Sequence, residues 1–225
     1  MRISRIFRDW RGLSTAAVAT AALATTAVVT LGGFSATVTN PTNTFSSGTV
    51  QLKEGVGAVT CYSTGTGTGG SVSASNTNAT CTGDDLGGKL LQVPGGAAQS
   101  TTVTLTNVGN TPTSTSNLLA GLCSSAASAD DGGYVGSDAA FCGKVDVTIN
   151  NNTTGKCVFP SAGVACTAPT NTNTLATLAS QNVALSGLAA GASATYTITV
   201  QLDATATNAD QGLTATIPLT WSITQ

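Results

Sequence analysis

The chain has 225 residues with eight basic against ten acidic side chains, no histidine, and only 8% of its residues charged. Its four arginines, Arg2, Arg5, Arg8 and Arg11, crowd the start, so the rest carries four lysines against nine acids, a net of −5. That balance excludes the basic stripe needed by a partner such as nucleic acid or an anionic membrane surface. The missing histidine excludes Ser-His-Asp and Cys-His catalysis and the HExxH zinc helix.

From Leu13 to Leu31 no charge interrupts a run rich in alanine and threonine. Arginines, an apolar run and then small residues are the pattern of an export signal. Gly32 and Gly33 mark a cut before Phe34, so the expected organisation is a signal peptide over 1–33 and one domain over 34–225. Signal peptidase is the partner expected during export. If the leader stays uncleaved it is the only expected membrane contact; cleaved or not, the positive-inside rule puts the domain outside. The expected location is therefore secreted or extracellular at the cell surface.

Beyond the cut, Phe34, Ala36 and Val38 alternate with Ser35 and Thr37 in an uncharged segment. Phe45-Ser46-Ser47-Gly48-Thr49-Val50-Gln51-Leu52 then enters a second alternating stretch. GTGTGGSVSASNTNAT, from Gly65 to Thr80, cannot bury much apolar surface, and a flexible loop is expected near 63–80. Val103 and Leu105, set against Thr102, Thr104 and Thr106, make a strand, and Asn117 to Leu122 is the one stretch that could form a short helical turn. Val145, Val147 and Ile149 alternate with Lys144, Asp146 and Thr148. A second low-complexity loop is expected at 167–177.

Near the end, Ala194, Tyr196, Ile198, Val200 and Leu202 form one face, with Thr195, Thr197, Thr199 and Gln201 on the other. The last strand reads the same way from Leu213 to Ile223, with Trp221 inward. Pro218 cannot donate to a ladder, which places that strand at an edge or a bulge. The fold class expected is all-β: a two-sheet antiparallel sandwich of jelly-roll or Ig-like type, preceded by an N-terminal apolar signal helix.

Six cysteines, all beyond the leader, fit an oxidising compartment. Fifteen pairings are combinatorially open. Each neighbouring couple brackets a Gly, Ser, Asn or Asp-rich loop, so local closure is the simplest scheme: Cys61 with Cys81, Cys123 with Cys142, Cys157 with Cys166. Each closure contributes ~3 kcal/mol in the chain-entropy account. No CxxC couple is present, and no metal or other cofactor is expected.

Chemistry finds few candidates. Glu54 is the single glutamate, and the aspartates, Asp84-Asp85, Asp130-Asp131, Asp138, Asp146, Asp203 and Asp210, read mostly as solvated turn residues. Asp130, Asp131 and Asp138 offer clustered oxygens of the kind calcium takes, without the spacing of an EF-hand. No catalytic residue is assigned.

The run GGFSATVTNPTNTFSSGTVQL, carried by Phe34-Ser35 and by Phe45 to Leu52, resembles the start of the TasA and camelysin (CalY) family, exported bacterial proteins with a SipW-type signal peptide. The ending is similar too, with Gln211-Gly212 opening a strand that closes on Trp221; the cysteines and glycine-rich insertions are additions to that pattern. The resemblance implies a structural protein of the cell surface or extracellular biofilm matrix, with a jelly-roll fold and partners that are copies of itself or other envelope and matrix proteins. Released by cleavage, the segment from Phe34 can add as a donor strand to an open sheet edge of the next subunit, or form the first strand of its own sheet. Two alternatives stand beside the fibre reading. One is a monomeric surface adhesin or carbohydrate-binding module, which the threonine faces would suit; the other is a camelysin-like metalloprotease, which the absent zinc set disfavours.

Overall fold

In a computed structural model, residues 46–65, 67–71, 75–76, 79–88, 91–128 and 135–225 are described. The expected leader, its cut at Gly33 and Phe34, and the donor residues Phe34, Ala36 and Val38 lie outside them. Among the described residues eleven strands run in chain order: β1 (Leu52–Val56), β2 (Val59–Tyr62), β3 (Gln99–Asn107), β4 (Thr115–Ala120), β5 (Ser124–Ala127), β6 (Val145–Asn151), β7 (Lys156–Phe159), β8 (Asn182–Ser186), β9 (Ser193–Leu202), β10 (Leu213–Thr216) and β11 (Leu219–Thr224).

Period-two patterning builds the larger layer, an antiparallel sheet in the order β2-β1-β3-β9-β6-β7. On β9, Ala194, Tyr196, Ile198 and Val200 are buried and the intervening threonines are not. Val103 and Leu105 of β3, and Val147 and Ile149 of β6, join the same buried row. The facing layer is β11-β4-β8 with the pair β10-β5 continuing it. Leu118, Leu185, Leu188 and Trp221 close the core from that side. Tyr196 and Trp221 meet across the two layers with ring centroids 5.4 Å apart, within the range of favourable aromatic contact.

Several elements differ from the sequence-level expectation. The strand expected from Leu213 to Ile223 is two strands, because the chain breaks at Ile217-Pro218. Ladder partners sum to 340 in β10-β5 and to 339 in β11-β4, so Gly121, Leu122 and Cys123 oppose only Ile217 and Pro218. One extra residue on one side is a bulge-type irregularity, where proline's missing donor is tolerated. β11 lies at the edge of its layer.

Asn117 to Leu122 forms no helical turn; its first part is in β4, whose Ser116, Leu118 and Ala120 are buried on alternate positions. The stretch 167–177 ends in a single helical turn, α1 (Leu175–Leu178), with reciprocal Thr174–Thr177 capping. Its leucines, three apart, are both fully buried. β6 hides both faces, since Asp146 bridges Thr174 in the segment that leads into α1 and, with Thr148, is only 4% exposed.

Disulfides join Cys61 to Cys81, Cys123 to Cys142 and Cys157 to Cys166, the local scheme throughout. The first closes the base of the 63–80 loop, where Ser71 N–H donates to the Thr80 carbonyl at 3.0 Å. Ser47–Gln225 is one compact unit.

Because Ile198 is 1% exposed on the central strand, Ile198→Ala is expected to cost about 2–5 kcal/mol by urea denaturation under non-reducing conditions. Thr102→Ala, on the opposite and exposed face of the neighbouring strand, is expected to stay within about 1 kcal/mol.

Candidate functional site

The two layers do not close against each other along one side. A groove of about 1360 Å³ runs there, with Leu52 and Glu54 of β1 on one wall and β10 and β11, Leu213 to Thr224, on the other. Leu91 and Val93 stand on its lip at 81% and 67% exposure. Among the described residues β11 pairs with β4 alone, so its other edge has no strand partner.

Glu54 reaches the groove through simple alternation. Leu52, Glu54 and Val56 share one face of β1, and the two apolar neighbours are buried, so the carboxyl must enter the space between the layers. Asp85 arrives from the loop that follows Cys81. That loop is pinned: Asp84 Oδ1 accepts from Leu86 N–H at 3.0 Å and Gln99 Nε2 donates to the Gly87 carbonyl at 2.8 Å. Gly87 has φ +91°, and a Cβ there would collide with the side chains of Gln99 and Thr101.

Asp85 Oδ2 accepts from the Trp221 indole Nε1–H at 2.9 Å, and its carboxyl also hydrogen-bonds with that of Glu54. Burial first, and then the Asp85 charge, push the Glu54 carboxyl up to about 8. Burial raises Asp85 as well, opposed by its hydrogen bonds from Trp221 and Glu54. Two carboxyls in one desolvated pocket do not both carry charge without cost, and burial together with the Asp85 charge favours the protonated form of Glu54.

A second acidic group lies at the far end of β6 and β9. Asp146 is buried with its Oδ1 unpartnered; burial, then the Asp203 charge, push it up to about 6, while Lys144 pulls the other way. Asp203 is held low by hydrogen bonds from Thr205, and Asp138 by the Ala140 N–H, which its Oδ1 accepts at 2.7 Å.

The reading of the aspartates as solvated turn residues is thus corrected for Asp85, Asp146, Asp203 and Asp210. The last three are about 95% buried: Asp146 lies on β6 under the segment that leads into α1, and Asp203 and Asp210 accept from backbone N–H groups of their own turns. Of the suggested calcium cluster, Asp130 and Asp131 lie outside the described residues and Asp138 is engaged as above. Among the described residues no three Cys, Asp or Glu side chains gather as a metal site requires. Sequence reasoning also missed the Glu54–Asp85 pair. The available signal was the alternation Leu52-Glu54-Val56; that Asp85 and Trp221 would meet it is a matter of tertiary packing.

The three disulfides fit a non-reducing environment. No helix among the described residues is long and apolar enough to cross a membrane. The fold and the groove define a disulfide-stapled antiparallel β-sandwich. The chain matches no protein-family model and no curated protein.

The raised carboxyls of Glu54 and Asp146 stabilise the folded state most when protonated. The Glu54 contribution is complete below 4.5, declines as pH rises and is gone above about 8; that of Asp146 is lost between 3.8 and about 6. Unfolding free energy is therefore expected to fall across this window in urea titrations at stepped pH. Glu54→Gln should remove the decline above about 6 and lessen it between 4.5 and 6, and Asp146→Asn should lessen it between 3.8 and about 6, whereas parallel curves for all three proteins would contradict the assignment.

Proposed function

We propose that this is an exported structural protein of the cell surface or extracellular matrix, of the TasA and camelysin type, that assembles by donating its N-terminal strand to a neighbouring copy. The observation that carries this reading is the outer edge of β11, which has no strand partner among the described residues and lies beside a groove with much apolar lining. An edge of that kind offers main-chain hydrogen bonds to an added strand, and the groove offers pockets for alternate side chains.

The occupant is the segment from Phe34 of a second copy. Phe34 to Asn40 is uncharged, alternates, and runs seven residues before Pro41, against six in β11. Once freed at Phe34 it lies at one end of a chain whose edge lies elsewhere, so the contact is head-to-tail and propagates into a filament. The jelly-roll assignment goes with this reading, as does a location outside the cell.

The outer face of the large sheet favours a second reading, a monomeric adhesin or carbohydrate-binding module. Ser100, Thr102 and Thr104 of β3 stand opposite Thr199, Thr197 and Thr195 of β9, giving an uncharged hydroxyl-bearing surface.

Electron microscopy of the chain beginning at Phe34, beside a chain beginning at Ser46, separates the two. Filaments are expected from the first and monomers from the second, with a synthetic 34–45 peptide binding the shorter chain. Filaments of equal yield from both, or persistent monomers of the longer one, would sink strand donation; monomers that are retained on insoluble polysaccharide would favour the adhesin.

A further inference from the structure

A second, smaller hollow of about 480 Å³ opens on the outer face of the large sheet, between β6, β9 and the stretch from Ala165 to Pro169. Its volume falls in the class of small-molecule sites. Thr148 and Asn150 of β6 stand directly across from Thr199 and Thr197 of β9, and alternation turns all four away from the core row of Val147, Ile149, Ile198 and Val200. Cys157–Cys166 ties the remaining wall to β7. Thr148 is the floor: it is 4% exposed, whereas the other lining residues are half-buried or exposed. Its hydroxyl finds no partner among the described residues, because Thr199 across the ladder bonds instead to Ser100 at 2.9 Å. The rim is ordered by a relay in which Asn150 Nδ2 donates to Asn152 Oδ1 at 2.9 Å and Asn152 Nδ2 donates to Thr197 Oγ1 at 2.7 Å.

We propose that this hollow is a binding site for a neutral sugar unit of a polysaccharide. Among the described residues that line it none is charged, so an ionic ligand would lose its hydration there without meeting a counter-charge. The relay leaves Asn150 Oδ1 free to accept and the Thr197 proton free to be donated, and Thr148 can do both. Sugar hydroxyls also donate and accept from one atom, which suits this set. Ala165, Ala168 and Pro169 supply a small apolar wall for the C–H face of a pyranose ring. A buried hydroxyl without a protein partner is costly to leave unpaired, so a ligand hydroxyl that reaches Thr148 gains more than one on the open face, and a sugar lacking it is disfavoured. The inference rests on the carbohydrate-binding reading of the outer face and narrows that face to one site. It holds for monomer and filament alike, since the core row of the large sheet separates the hollow from the groove.

The test is a titration of the full chain, disulfides intact, with cellotetraose, maltotetraose, mannotetraose and N-acetylchitotetraose, followed through isotope-labelled threonine methyl resonances. Tetragalacturonate serves as the anionic control. At least one neutral tetrasaccharide is expected to shift Thr148, Thr197 and Thr199 saturably, and tetragalacturonate to shift none of them. Thr148→Val, which keeps the β-branched shape, is expected to weaken that sugar about fivefold, and Asn152→Ala, which breaks the relay, by at least as much. Thr102→Val, on the same face but outside the hollow, should leave the affinity unchanged. Saturable binding that both Thr148→Val and Asn152→Ala leave intact overturns the site; if Thr102→Val then abolishes it, the broader carbohydrate reading of the face survives. Neutral and anionic sugars bound alike overturn the assigned ligand class. Silence from all four neutral sugars overturns the site and the carbohydrate reading together.

Discussion

The inward row of β9, Ala194, Tyr196, Ile198 and Val200, is the constraint on which the domain depends. It lies mid-sheet between β3 and β6, and its contact with Trp221 joins the large sheet to the facing layer. With so few aromatic residues the core is built from Val, Leu and Ile, and burial of their side chains, worth about 1.5–3 kcal/mol each, has to offset backbone ordering. Three short disulfide loops supplement it where glycine-rich segments bury little. That division explains how a chain so rich in glycine and threonine can hold long loops without a larger core.

Trp221 has a second duty. The ring that completes the core on one side presents its Nε1–H to Asp85 on the other, so the aromatic joint and the acid bridge share one residue. The break at Ile217-Pro218 lets β11 pair with β4 in a register one residue off from that of β10 with β5. An unpaired edge is a liability in a sheet protein unless it is covered, charged or used. The edge of β11, without a strand partner among the described residues, lies beside a wall of apolar and polar side chains that includes the carboxyl pair.

The carboxyl groups show how position outweighs residue type. Asp84 and Asp85 are adjacent in the chain, yet one caps a turn and the other is raised by burial and accepts from Trp221. Asp203 and Asp146 act on each other at a sheet end, with Asp203 held low by Thr205 and Asp146 raised by burial. A charge far from a partner in sequence becomes costly or useful only once the sheets bring low-dielectric walls around it.

By itself the sequence determined the all-β class, the faces of β3 and β9, the inward place of Trp221, and the local pairing of the cysteines. Each of these rests on short-range periodicity or on a loop that only its own ends can close, so a window of ten to twenty residues contains the necessary information. It also carried the placement of Pro218 at an irregular edge, since the missing N–H is a local fact. Tertiary structure decided what depends on distant partners: the split of the last strand across a bulge set by Gly121 to Cys123, the strand conformation of Asn117 to Ala120, the burial of Asp146, and the meeting of Glu54, Asp85 and Trp221. The reason is physical: alternation says which face of a strand is buried, but not which element will cover it or what charge that element brings.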